Sequence, residues 1–178
     1  MCHFLYIASS LTLSEIRSML PQGLAADLLD PAEAGRLLPL LPGARTGARL
    51  IAGACSCDLF LTRDLAASRE EAELRARYRT LGLSREAVMR ALQRHRRRGS
   101  VALTSGEWAG VLAGFVAEHA RNGGSTLYYR EFSPARFDAG PAEAAVEVPL
   151  HKVQSAPEAW LPEGRPVVVA RGDAPYKR

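Results

Sequence analysis

A chain of 178 residues, 47% hydrophobic and 24% charged, can bury a core without disulfide staples and has the composition of a soluble globular protein. No apolar run approaches the roughly 20 residues of a membrane span, and the longest, WAGVLAGFVAEHA, contains Glu118 and His119. The formal charge of +4 is uneven, because residues 69–98 carry ten arginines against four glutamates and lysine occurs only at Lys152 and Lys177.

HFLYIAS, residues 3–9, is rich in aromatic and β-branched residues and is expected to form the first strand. No Lys or Arg precedes this apolar opening and no cleavage site follows it, so it reads as a mature start rather than a signal peptide. Thr12 and Glu15 form a Thr-x-x-Glu capping box for a short helix reaching about residue 20. Residues 24–41, LAADLLDPAEAGRLLPLL, suggest two short helical pieces broken at Pro31 and closed by Pro39 and Pro42. Residues 48–61, ARLIAGACSCDLFL, are strand-like, with a bend at Gly53.

A second capping box, Ser68 to Glu71, predicts a helix to about residue 81, stopped by Gly82. Ser84 then caps a helix over 85–98 with Val88, Ala91, Leu92 and His95 on one stripe. Thr104 and Glu107 form a third box, opening a helix that ends near Asn122-Gly123-Gly124. Its stripe of Trp108, Val111, Leu112, Phe115 and Val116 continues to His119, read as a hydrogen-bonded residue at the core edge. Gly106, Gly110 and Gly114 suggest close backbone packing on that helix. Residues 125–132, 144–153 and 165–170 are strand candidates. In the first of them Tyr128 and Tyr129 alternate, one toward the core and one exposed. The expected fold is α+β: a small mixed sheet, with strands from both ends of the chain, around a helical middle. A single domain over 1–170 and a flexible tail over 171–178 complete it.

The three cysteines are the clearest candidate site. Cys55 and Cys57 are two apart, so on one strand they share a face. If the first strand lies beside it, Cys2 brings a third sulfur. Three convergent thiols are a partial shell for zinc or a similar thiophilic metal, which takes four ligands from Cys and His. His3, His95, His119 or His151 could supply the fourth, and His3 is the nearest in sequence. A strand beginning at residue 2 would turn Cys2 and His3 to opposite faces. The competing reading is that all three cysteines are small buried hydrophobes. An odd cysteine count without a secretion signal points to a reducing, cytoplasmic setting.

MCHFLYIAS followed by GACSC resembles a group of small uncharacterised bacterial proteins that open Met-Cys plus an apolar strand and carry a later Cys-x-Cys. The likeness covers the first third of the chain. It implies no activity, only that Cys2, Cys55 and Cys57 belong together. MCHF before a strand is also similar to the opening of class II glutamine amidotransferases. That resemblance implies an N-terminal-cysteine hydrolase or amidotransferase with Cys2 as nucleophile and Asn122-Gly123 helping to form an oxyanion hole. This chain has His3 where those enzymes usually have glycine.

Residues 74–98 resemble a helix-turn-helix, which implies a nucleic-acid-binding protein using the Arg-rich pair 69–98. Arg85, Glu86 and Arg90 would then face the major groove, while Arg94, Arg96, Arg97 and Arg98 meet phosphates. Tyr78 stands where that family has a small residue. The same arginines could instead meet an acidic protein surface or form a solvated helix face. There is no Ser-His-Asp order, metalloprotease helix motif or Walker-type loop, so no reaction is assigned.

Overall fold

The computed structural model describes residues 2–52, 56–60, 63–98, 105–133, 141 and 143–170. The strands β1 (Cys2–Ser9), β2 (Leu24–Leu28), β3 (Thr46–Ala52), β4 (Thr126–Ser133), β5 (Val146–Pro149) and β6 (Val167–Ala170) form one mixed sheet. Its order is β2-β3-β1-β4-β6-β5. Every neighbouring pair is antiparallel except β5 and β6, which run parallel. Three strands come from the first third of the chain and three from the last, with the long helices α3 (Arg63–Thr80), α4 (Arg85–Arg98) and α5 (Ser105–Gly123) between them. The fold is therefore α+β with the expected arrangement.

Strand β1 sits inside the sheet, and Leu5, Tyr6, Ile7 and Ala8 are all fully buried. Burial of both alternating sets means that both faces of the sheet are covered. Over one face lies α5, whose Trp108, Leu112, Phe115 and Val116 pack with Leu5, Ile7, Tyr128, Val167 and Val169. Over the other, Leu29, Leu37 and Leu41 pack on Tyr6, Ala8, Leu127, Tyr129 and Val168. Tyr129 is consequently buried rather than exposed, on the face opposite Tyr128.

Local signals in the sequence set several boundaries. Thr12 and Glu15 make the expected capping box of α1 (Leu13–Met19). A second box, Asp30 with Glu33, opens α2 (Pro31–Leu37), so Pro31 starts a helix instead of breaking one. The segment before it is the edge strand β2, not a helix. Pairing with β3 overrides the helix propensity of its two alanines, and Arg17 donates from Nε and Nη2 to the Ala26 carbonyl at 3.0 and 2.8 Å. That guanidinium occupies an edge acceptor that would otherwise stay open. Gly82 and Gly124 have φ of +73° and end α3 and α5, as side-chain-free residues can.

Other expectations are corrected. Helix α3 begins at Arg63, so Ser68 lies within it and does not cap it. The segment 144–153 is strand only through Pro149 and then turns into α6 (Leu150–Ser155). On α5, a Cβ at Gly110 or Gly114 would meet none of the described residues within 4 Å, so neither marks a close approach among them; one at Gly106 would meet only Glu158 Oε1 among them, at 3.0 Å. Thr104 and the tail 171–178 lie outside the described residues. No helix among the described residues is long and apolar enough to cross a membrane.

Candidate functional site

By Ser56 the chain has left the sheet, and a 3₁₀ turn at Ser56–Leu59 packs against the beginning of β1. The Ser56 hydroxyl donates to the Leu50 carbonyl and ties the turn to β3. Cys57 then lies almost fully buried, and its Sγ accepts the main-chain N–H of His3 at 3.2 Å. Among the described residues β3 pairs with β1 only from Leu5 onward, so the sulfur takes an N–H that has no ladder partner among them on that side. Cys57 is thus on a turn rather than a strand, and strand alternation does not relate it to Cys55. Proximity to the chain's opening arises in a different way, through the returning turn.

β1 begins at Cys2, which pairs with Ser133 of β4. Cys2 and His3 are successive strand positions and belong to opposite faces of the sheet. Among the described residues no three His, Cys, Asp or Glu side chains are grouped to hold a metal ion. Cys55 and the side chain of Cys2 lie outside the described residues.

Around His3 the site is aromatic and charged. The imidazole lies 4.6 Å from the Phe132 ring and 5.4 Å from Phe60, centroid to centroid. Its Nδ1 is buried and has no hydrogen-bond partner among the described residues. Burial, and after it the Arg130 guanidinium, pushes the imidazole below its usual range. Arg130 stands 4.5 Å over the centre of the Phe60 ring and donates from Nη2 to Glu163 at 3.1 Å. Its Nε is buried and, among the described residues, has no acceptor. A cavity of about 180 Å³ opens beside this pair, between the turn, α5 and the chain after α6, with Leu59, Phe60, Leu112, Arg130, Trp160 and Leu161 in its walls.

The other histidines are elsewhere. His119 is fully buried between Tyr128 Oη, 2.9 Å from Nδ1, and Ser9 Oγ, 2.8 Å from Nε2. Burial lowers it to about 4, and both ring nitrogens are engaged, which fits the structural role read from the sequence. His151 is exposed on α6, and the side chain of His95 is outside the described residues.

Asn122 and Gly123 lie at the wrong end of β1 for an oxyanion hole at Cys2. Ser10 Oγ donates to the Gly123 carbonyl at 2.8 Å, so the pair is beside the C-terminal end of the strand. Eight residues separate the two ends by more than about 20 Å. Asn122 Nδ2 instead donates back to the Glu118 carbonyl at 2.9 Å, and the helix simply stops there.

Of the arginines assigned to nucleic acid, Arg85 and Arg90 are exposed on α4, as is Glu86. The side chains of Arg94 and Arg97 lie outside the described residues. Ser84 Oγ accepts the Ala87 N–H at 3.3 Å, capping α4 as expected, and Val88 and Leu92 are buried. The tip of the α3–α4 hairpin also exposes Leu81, Leu83 and Met89.

Phe60, Arg130, Trp160 and Glu163 were not singled out from the sequence. A signal existed for one of them: Thr126, Tyr128, Arg130 and Phe132 alternate with Leu127, Tyr129 and Glu131, which puts an arginine on a face otherwise built to be covered. The chain matches no protein-family model, no curated protein and no solved structure.

Proposed function

We propose that this protein binds a thiophilic divalent metal, zinc in the first instance, at the beginning of β1, with Cys2, Cys55 and Cys57 as sulfur ligands and His3 as the nitrogen ligand. One contact carries the reading: the Cys57 sulfur lies 3.2 Å from the main-chain nitrogen of the residue that follows Cys2. Main-chain N–H groups point along the plane of a sheet. A sulfur that accepts one is level with both faces, so ligands from either face position of β1 can join it. His3 Nδ1, buried and without a partner among the described residues, has a lone pair that a metal would satisfy. A metal-bound thiolate would also strengthen the N–H···S contact, because hydrogen bonds to charged acceptors are the stronger ones. A cytoplasmic, reducing setting goes with this reading, since the ligands must remain thiols.

The test is elemental analysis of protein purified under reducing conditions, alongside Cys2→Ser, Cys55→Ser and Cys57→Ser. The expected result is one zinc per chain in the parent protein and at least about a tenfold loss of affinity in each variant, with unchanged far-ultraviolet circular dichroism. Metal-free parent protein with three freely titrating thiols would overturn the proposal.

A second reading rests on the exposure of Arg85 and Arg90 beside the exposed Arg77 and Arg79: α3 and α4 meet nucleic acid or an acidic protein surface. Binding to duplex DNA that weakens steeply with salt, and weakens again in Arg85→Ala/Arg90→Ala, supports the nucleic-acid form. Salt-insensitive binding, equal in both proteins, counts against it.

A further inference from the structure

We infer that the cavity beside the cysteine turn is a binding site for a small monocarboxylate with an aromatic body. The inference does not rest on the metal reading, because neither His3 nor Cys57 is among the described residues that line the cavity.

Size comes first. A void of about 180 Å³ is a little larger than the roughly 150 Å³ apolar cavity that takes up benzene. It suits one six-membered ring with one small substituent. Leu112 and Leu161 supply aliphatic wall, and Phe60 and Trp160 supply aromatic wall. Trp160 is almost fully buried, held edge-on against the equally buried Tyr128 at 5.3 Å between centroids. The wall is therefore preformed, which spares a ligand the cost of ordering it.

Charge fixes the substituent. Arg130 lines the cavity and is held from two sides, stacked over Phe60 and paired through Nη2 with Glu163. A carboxylate in the cavity meets this lining guanidinium with a charge-assisted hydrogen bond. Glu158, exposed at the cavity's edge, brings a second negative charge near the site and disfavours dianions such as phosphate monoesters.

Benzoate is the probe, with benzamide as its uncharged isostere and benzylamine as its cationic counterpart. Binding is followed by titration calorimetry and by two-dimensional amide NMR of the parent protein. Benzoate should bind saturably, shifting amide signals around Phe60, Arg130 and Trp160. Benzamide, benzylamine, and benzoate with Arg130→Gln should each bind at least about tenfold more weakly. Because Arg130→Gln also breaks the pair with Glu163, Ala109→Leu is the companion variant. It fills the cavity from α5, leaves Arg130 intact, and should lose benzoate binding to the same extent. Absence of saturable benzoate binding to the parent protein, equal affinity for benzamide, or undiminished binding in Ala109→Leu overturns the inference.

Discussion

Two buried polar assemblies occupy opposite faces of the same two central strands, and each depends on individual atoms. On one face His119 joins the hydroxyls of Ser9 and Tyr128, its ring accepting from one partner and donating to the other. Substituting His119→Phe keeps most of the volume but takes the imidazole from both hydroxyls; Ser9 Oγ keeps the Leu11 N–H, and a buried polar group left without a partner costs about 1–3 kcal/mol. Urea denaturation should report a loss in that range or somewhat above it. On the other face the buried Glu131 carboxylate accepts from Tyr6 Oη at 3.0 Å and from Tyr129 Oη at 3.3 Å. Burial, and after it the neighbouring carboxylate, pushes the Tyr129 phenol up to about 12. Spectrophotometric titration should therefore find Tyr129 un-ionised at pH 10, and a Glu131→Gln variant should bring its ionisation to lower pH. These residues were only half legible in the sequence. The end of an apolar stripe at His119 announced a hydrogen-bonded histidine, whereas nothing in YYREF alone says that a second layer will cover Tyr129 and Glu131.

At the scale of elements, the signals that succeeded are those read within a few residues. Capping boxes, glycine stops and β-branched runs depend on local chemistry, so α1, α4, the end of α5 and β1, β4 and β6 fell where expected. The failures needed a partner to be known. β2 is a strand because β3 lies beside it and Arg17 covers its edge, and an Ala-Ala-Asp segment carries no trace of either. The cysteine doublet misled for a similar reason, since ARLIAGACSCDLFL continues a strand pattern past the point where the chain leaves the sheet. Exposed glycines on α5 give this scale its own prediction. Gly110 and Gly114 meet none of the described residues where a Cβ would stand, and neither has positive φ. Each Gly→Ala change should stabilise the fold by about 0.5–1 kcal/mol, seen as a raised denaturation midpoint. A loss of stability in either variant would mean that this helix face is covered in the native protein.

For the whole molecule, two covered sheet faces make stability depend on pH through groups held away from water. His119 has its folded value lowered to about 4, against about 6.5 in the unfolded chain. Its contribution is complete above pH 6.5 and is lost as pH falls toward 4, because the unfolded chain takes up the proton first. The difference corresponds to about 3 kcal/mol, and the parent protein should lose that much more stability between pH 7 and pH 4 than His119→Gln does. The same architecture brings the beginning of β1 and the Cys57 turn together at one end of the sheet, far from His119, and this juxtaposition underlies the metal proposal. X-ray absorption at the zinc edge of the loaded, reduced protein tests that proposal most directly. The expected shell is three sulfur neighbours at about 2.3 Å and one nitrogen at about 2.0–2.1 Å, with a sulfur lost in Cys57→Ser. A shell of nitrogen and oxygen alone, or a sulfur shell unchanged in that variant, would contradict it.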